Sequence, residues 1–280
     1  VATSRGERRT RDLLGDQNIF RGERMNRTIS SGNDYEAFLR RVRATDGNDQ
    51  VTYVTASGVV LSQALVNELC TAEGPATAMY LLGAYVWSEP AGELEGLEIF
   101  RTAATLGSVS AVRALGDALN WMGLYEESVP VLEAALRNEP DDPRLHGLLG
   151  LSMYELKLDE GAQLHLRIGL RADPSLAIAL AHIRRRVGDE VEYRDLITEA
   201  AHRDVYGAHV LAGNFFAEQG DRVRAADLYR QGILSGDAHS AFNLACLFYD
   251  DGQLEEARRN FHLAREMGDL RVSPFDQVEK

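Results

Sequence analysis

The chain has 280 residues, 45% of them hydrophobic and 26% charged, with a formal net charge of −13. That length accommodates more than one domain or one elongated array, and the charge excludes general affinity for the phosphate backbone of DNA or RNA. No apolar run approaches the ~20 residues that cross a bilayer, and no apolar stretch follows the N-terminal arginines as in a secretory signal, so a cytoplasmic protein is expected.

In chain order, residues 1–32 are polar and short of periodicity, and the first 30 hold seven arginines against four acids. They are expected to form a mobile Arg-rich tail. Met25 is an alternative start, because a leading Val can be the literal reading of a GUG codon. Residues 33–75 are expected to form a divergent N-terminal cap. In it Tyr35, Phe38, Leu39 and Val42 have the i, i+3, i+4, i+7 spacing of a helix over 34–44, which Asp46-Gly47-Asn48-Asp49 ends. The β-branched Val51–Thr55 fits a short strand, a packed extended segment or a helix start. Val59 to Cys70 reads as helix, with Leu61, Ala64, Leu65 and Leu69 on one side. Cys70 and Cys246, far apart in apolar patterns, are expected to be buried free thiols. Lysine occurs only at 157 and 280, which is the codon bias of a GC-rich, bacterial genome.

From Thr77 onward one pattern repeats. A small residue returns at Gly83, Gly116, Gly150, Ala181, Gly213 and Ala245, 31 to 34 positions apart, with a second small residue in a following helix. A period of that length marks stacked helical hairpins. The clearest unit runs Ala114-Leu115-Gly116-Asp117-Ala118-Leu119, then Gly123-Leu124-Tyr125-Glu126-Glu127-Ser128, then Leu132, Ala135-Leu136 and Pro140. Asp142-Pro143 and Asp173-Pro174 read as N-caps followed by Pro at N1. Pro130 is expected to kink its helix or delay the start. In the Ala181 unit, Arg184-Arg185-Arg186 stand where an apolar residue is expected. After Gly268, residues 269–280 read as a tail without a capping helix.

This spacing resembles the tetratricopeptide repeat over residues 76–268, with the last two units leaning toward the Sel1-like repeat through Gly236-Asp237-Ala238, Ala241, Leu244-Ala245, Phe248, Gly252, Ala257, Phe261 and Gly268-Asp269. The resemblance implies an all-α fold: a right-handed α-solenoid of six such hairpins behind the divergent cap. In that family the first helix of each hairpin lines a concave groove that receives a peptide. The register of the small residue then puts Asp117, Asn120, Leu151, Tyr154, His182, Arg185, Asn214, Ala217, Cys246 and Tyr249 toward the groove. Asn214 and Asn243 fall where peptide-binding members place asparagines, whose amides read a peptide backbone in either direction. Val210 stands where the family's carboxylate clamp has its lysine, so a clamp for a chaperone tail is not expected.

Arg167, Arg171, His182, Arg184, Arg185 and Arg186 are a basic island in an acidic chain. One reading is a site for an acidic peptide or phosphate, with Arg167, Arg171, Arg184 and Arg186 as anion ligands. The other is helix-end chemistry before Gly188, and it is preferred. Trp121, Tyr125 and Tyr154 are expected in the hairpin core. Glu126-Glu127 and Asp159-Glu160 suit the N-terminal dipole of second helices. No catalytic, cofactor or metal motif is found; His202 and His209, seven apart across a turn, do not make a metal site. The expected function is a non-enzymatic scaffold binding a protein or peptide, with the acidic first half favouring a basic partner and no direct contact with nucleic acid or membrane. The alternative is a peptide- or ligand-gated regulator acting through a partner. Monomer and homodimer are both open.

Overall fold

The computed structural model describes residues 27–30, 34–44 and 51–277. The chain divides into two compact units, Val1–Ser108 and Val109–Lys280. The expected mobility of the first 26 residues, and the alternative start at Met25, lie outside the described residues.

In the first unit, Arg27–Ser30 is a strand, β1, rather than part of a tail. It pairs in parallel with β2, Val51–Val54, in the register Arg27↔Val51 to Ser30↔Val54. β-Branched residues in both segments suit a pleated ribbon, so the unit is not purely helical. Helix α1, Tyr35–Arg43, begins as expected, with the Asp34 carboxylate accepting from Ala37 N–H. Helix α2, Gln63–Thr71, starts later than its apolar spacing implies. Val59–Leu61 stay extended because Thr55 N–H donates to Val59 O and Leu61 N–H to Tyr53 O. Ser62 then caps the helix by accepting from Leu65 N–H.

Helices α3, Gly74–Ser88, and α4, Glu93–Thr105, form the first repeated hairpin. Phe38, Tyr53, Leu69, Met79, Leu82 and Ile99 are fully buried in this unit. Across the core lies one buried carboxylate. Glu95 of α4 is 7% exposed and accepts from the N–H groups of Ala56 and Ser57, each at 2.7 Å, and from the Ser57 hydroxyl. Burial pushes its carboxyl up, but the bonds from Ser57, Thr55 and Ala56 outweigh that and hold it below the usual range.

The second unit is a run of five hairpins. Its helices are α5 Val109–Trp121, α6 Tyr125–Asn138, α7 Pro143–Glu155, α8 Asp159–Gly169 and α9 Leu176–Arg186, followed by α10 Glu190–His202, α11 Ala208–Glu218, α12 Arg222–Leu234, α13 Ala238–Asp250 and α14 Leu254–Glu266. Each packs on the next, and first helices also touch first helices, as in α5 with α7, α7 with α9 and α11 with α13. The recurring small residue has a specific partner. Gly116 faces Leu132, Gly150 faces Leu166 and Gly213 faces the Tyr229 ring. Ala181 shares a buried cluster with Ile197, and Ala245 with Phe261. The partner lies sixteen residues on in all five hairpins. A Cβ at Gly150 would lie 2.8 Å from Leu166 N, so the absent side chain is what lets the second helix dock.

Three local expectations change. Helix α6 starts at Tyr125, five residues before Pro130, so the proline does not delay it. Asp142 caps α7 with Pro143 at N1, but Asp173-Pro174 forms a tight turn before Ser175, the N-cap of α9. In that turn Ser175 N–H donates to the Asp173 carboxylate and Leu176 N–H to Asp173 O. Residues 269–277 are not a free tail: they fold back on the last hairpin and end in a 3₁₀ turn, Pro274–Gln277. Among the described residues no helix is long and apolar enough to cross a membrane.

Candidate functional site

The first helices of the second unit, α5, α7, α9, α11 and α13, carry the side chains expected to face a groove. Their register follows from the small residues, which point toward the second helices and turn the flanking positions away from them. Most of these side chains are half-buried and bonded to the neighbouring hairpin. On α5, Asn120 Nδ2 donates to Leu148 O at 3.0 Å, and Ser152 Oγ donates to Asn120 Oδ1 at 2.7 Å. Tyr154 OH of α7 lies 3.0 Å from His182 Nδ1 of α9, with the Arg186 guanidinium 4.9 Å over the Tyr154 ring. Burial, then Arg186, Arg185 and Lys157, hold the His182 imidazole below its ordinary pKa.

Asn214 and Asn243 are joined directly. Asn243 Nδ2 donates to Asn214 Oδ1 at 2.8 Å, and Tyr229 OH donates to the same oxygen at 2.7 Å. Burial, then Cys246 and Glu218, push the Tyr229 phenol up to about 12, so it remains a donor. With Asn214 Oδ1 doubly occupied, the pair presents the two N–H groups of Asn214 Nδ2, the remaining N–H of Asn243 Nδ2 and one acceptor, Asn243 Oδ1. Val210, half-buried, packs against the cluster of Ala225, Tyr229 and Leu244. It offers no cation.

Two residues on α5 differ from the rest. Asp117 is exposed at the surface and in no ion pair among the described residues, yet burial of its surroundings raises its carboxyl. Trp121, one turn on and on the same side, is 67% exposed, which overturns its assignment to the hairpin core. Tyr125 and Tyr154 are half-buried. At the other end, Tyr249 is partly exposed and meets Phe275 edge-on, with ring centroids 5.6 Å apart. Burial raises the nearby Cys246 thiol; Cys70 is exposed rather than buried.

The arginine island is not one open patch. Arg184 bonds Gln163 and lies 3.0 Å from Glu192, which Arg167 also contacts. Arg185 grips both oxygens of Glu218, at 3.1 and 2.9 Å, and Arg186 both oxygens of Asp159. Three of the four arginines expected to hold an anion are thus engaged by two carboxylates, Arg167 and Arg184 sharing Glu192 and Arg186 pairing with Asp159. Sequence spacing did not reveal the contacts between hairpins, Arg167–Glu192, Arg184–Gln163 and Arg186–Asp159, because those partners lie 21 to 27 residues apart. Arg171 alone of the four is in no ion pair among the described residues; it lines a cavity of about 350 Å³ with Leu170, Pro174 and Leu196. Among the described residues no group of three His, Cys, Asp or Glu side chains is placed to hold a metal.

No family model and no curated protein matches the sequence. Solved structures do match in fold. PilF of Pseudomonas aeruginosa aligns with a TM-score of 0.60 and 16% identity, over 73% of this chain and 97% of its own. The Cut9–Hcn1 hetero-tetramer of the APC/C aligns at 0.57 and 15%, over 73% of this chain and 42% of that one. A tetratricopeptide repeat protein from Parabacteroides merdae aligns at 0.52 and 13%, over 70% of this chain and 80% of its own. The fold is that of a tetratricopeptide-type repeat protein, an α-solenoid of helical hairpins.

Proposed function

We propose that the first-helix face of the second unit binds an extended peptide segment of a protein partner, without catalysis. In this reading residues 33–75 serve as a cap, 76–268 as the repeat array, and Asn120, Tyr154, His182 and Arg185 as the braces that hold the face in shape. The observation that carries it is the Asn214–Asn243 pair, whose free donors and free acceptor match the C=O and N–H of a peptide backbone. The partner is basic: residues 109–160 carry ten acids against four bases, and Asp117 beside Trp121 offers a carboxylate and a ring to a cationic side chain. Fluorescence anisotropy with a library of labelled basic peptides tests this. Peptides that bind the wild type are expected to lose about tenfold in affinity on Asn214→Ala with Asn243→Ala; binders indifferent to both substitutions overturn the reading.

A ligand-gated regulator is the second reading. It is favoured by the braces between hairpins being polar side-chain contacts, such as Tyr154–His182 and Arg185–Glu218, which re-pair at small cost. A bound peptide then changes the radius of gyration in solution scattering; an unchanged radius removes this reading and leaves the first.

A further inference from the structure

Beyond the groove, the end of the last hairpin carries a seated occupant. Residues 269–273 have no regular secondary structure and run across α13 and α14 to the 3₁₀ turn. The Arg271 guanidinium stacks 3.8 Å from the centroid of the Phe242 ring and is held by the Asp269 carboxylate. Asp269 also faces His239 Nδ1 at 3.2 Å. Four residues on, Phe275 enters an aromatic notch formed by Tyr249 of α13 and Phe261 of α14, and the Arg258 guanidinium covers its ring at 4.8 Å. Asp276 fastens the end through Arg265.

The hold on this segment is of one kind. Among the described residues, no backbone hydrogen bond joins residues 270–277 to α13 or α14; the last such bond is Asp269 N–H to Ala264 O, and Asp276 N–H turns back to Ser273 O. A cleft of about 470 Å³ opens between the segment and α14, lined by Arg258, His262, Ser273 and Asp276. Leu270 and Val272 point outward, 84% and 66% exposed. The segment departs at Gly268, whose φ of 99° lies in the left-handed region that favours glycine. Gly268 and Asp269 close α14 as Gly236 and Asp237 close α12, and from Leu270 on the chain is held to the hairpin by side chains alone.

We propose that the end of the last hairpin is a binding surface for a segment carrying a guanidinium and an aromatic ring four residues apart, and that residues 270–277 are its resident, exchangeable occupant. Phe242 reads the cation, and Tyr249 with Phe261 reads the ring. An external segment competes with a tethered one, so the surface is closed at low ligand concentration and opens to high local concentration. The surface and its test are independent of Asn214 and Asn243.

The test uses the full chain and a labelled octapeptide with the sequence of residues 270–277. Arg271→Ala with Phe275→Ala empties the surface in place. That variant is expected to bind the peptide at least about tenfold more tightly than the wild type, whose own segment competes at a millimolar effective concentration. A peptide with the same two alanines is expected not to bind. Equal affinity for wild type and variant, or no binding to a folded variant, overturns the proposal. Hydrogen exchange on the wild type guards against a variant that fails to fold. The bonded amides of the segment, Arg271, Ser273 and Asp276, exchanging well ahead of α14 support a detachable occupant, and exchange in step with α13 and α14 overturns it.

Discussion

At Glu95 a charged side chain sits deeper than most leucines on the surface of this protein, and it is stable there because it accepts from two backbone N–H groups and a hydroxyl. Truncation to Ala leaves those donors without a partner, so Glu95→Ala is expected to cost about 2 kcal/mol in urea unfolding. Its carboxyl lies below the ordinary range, so its contribution is complete at neutral pH and fades as the pH falls through its folded pKa. Gly213 is the second residue to test. An added methyl meets the Tyr229 ring, which its bond to Asn214 keeps from moving aside. Gly213→Ala is expected to cost roughly 2 kcal/mol, and Gly116→Ala less, because the Leu132 side chain facing it can change rotamer. Equal losses at the two sites count against the ring as the rigid element.

At the scale of the element, histidines tie hairpins together in ways that depend on pH. His146 Nε2 lies 2.8 Å from Pro140 O and so donates, which leaves its Nδ1 to accept from His165 Nδ1 at 2.7 Å. Only one proton fits between those two nitrogens. Burial and then His146 lower the His165 pKa, against a smaller opposing effect of Glu133. His182 is lowered as well. A base whose folded pKa is depressed binds protons preferentially in the unfolded chain once the pH drops below its unfolded value of about 6.5. Stability is therefore expected to be flat from about pH 8 to 7 and to fall toward pH 5, a window above most carboxylate titration. Urea midpoints across that range check it, and His165→Gln with His182→Gln should flatten the fall; an unchanged slope assigns it to other groups. The Asn214–Asn243 bond belongs to the same scale. A double-mutant cycle is expected to give a coupling of about 1 kcal/mol, and a value near zero would mean the amides act independently.

For the whole molecule, charge decides which partners approach. With a net charge of −13 and ten acids against four bases at residues 109–160, the proposed basic partner is expected to be attracted by charge. Asp117→Asn is expected to weaken a bound basic peptide about fivefold and to reduce the salt dependence of its affinity. An undiminished affinity places the cation elsewhere on the face. Legibility differed by region. The six hairpins were readable because a small residue returns every 31 to 34 positions with a second one in the following helix, a pattern of residue size at fixed spacing. Four side-chain contacts were not: Asn120, Tyr154, His182 and Arg185, expected to face a ligand, also bond partners 28 to 33 residues away. Lys157 adopts a φ of 62° where neighbouring hairpins use glycine, a substitution that no pattern of apolar residues betrays.

By itself the sequence determined the repeat, the register of the small residues and the acidic character of the first hairpins, because these rest on residue size and charge at fixed spacing. It also marked Asn214 and Asn243 as worth attention. Only the tertiary structure decided that these two amides bond each other, that Arg167, Arg185 and Arg186 are held by carboxylates of adjacent hairpins, and that residues 270–277 lie over Phe242, Tyr249 and Phe261. The reason is physical. Such contacts join side chains whose positions depend on how one hairpin stacks on the next, and that stacking is set by the sum of many packed surfaces rather than by any spacing along the chain.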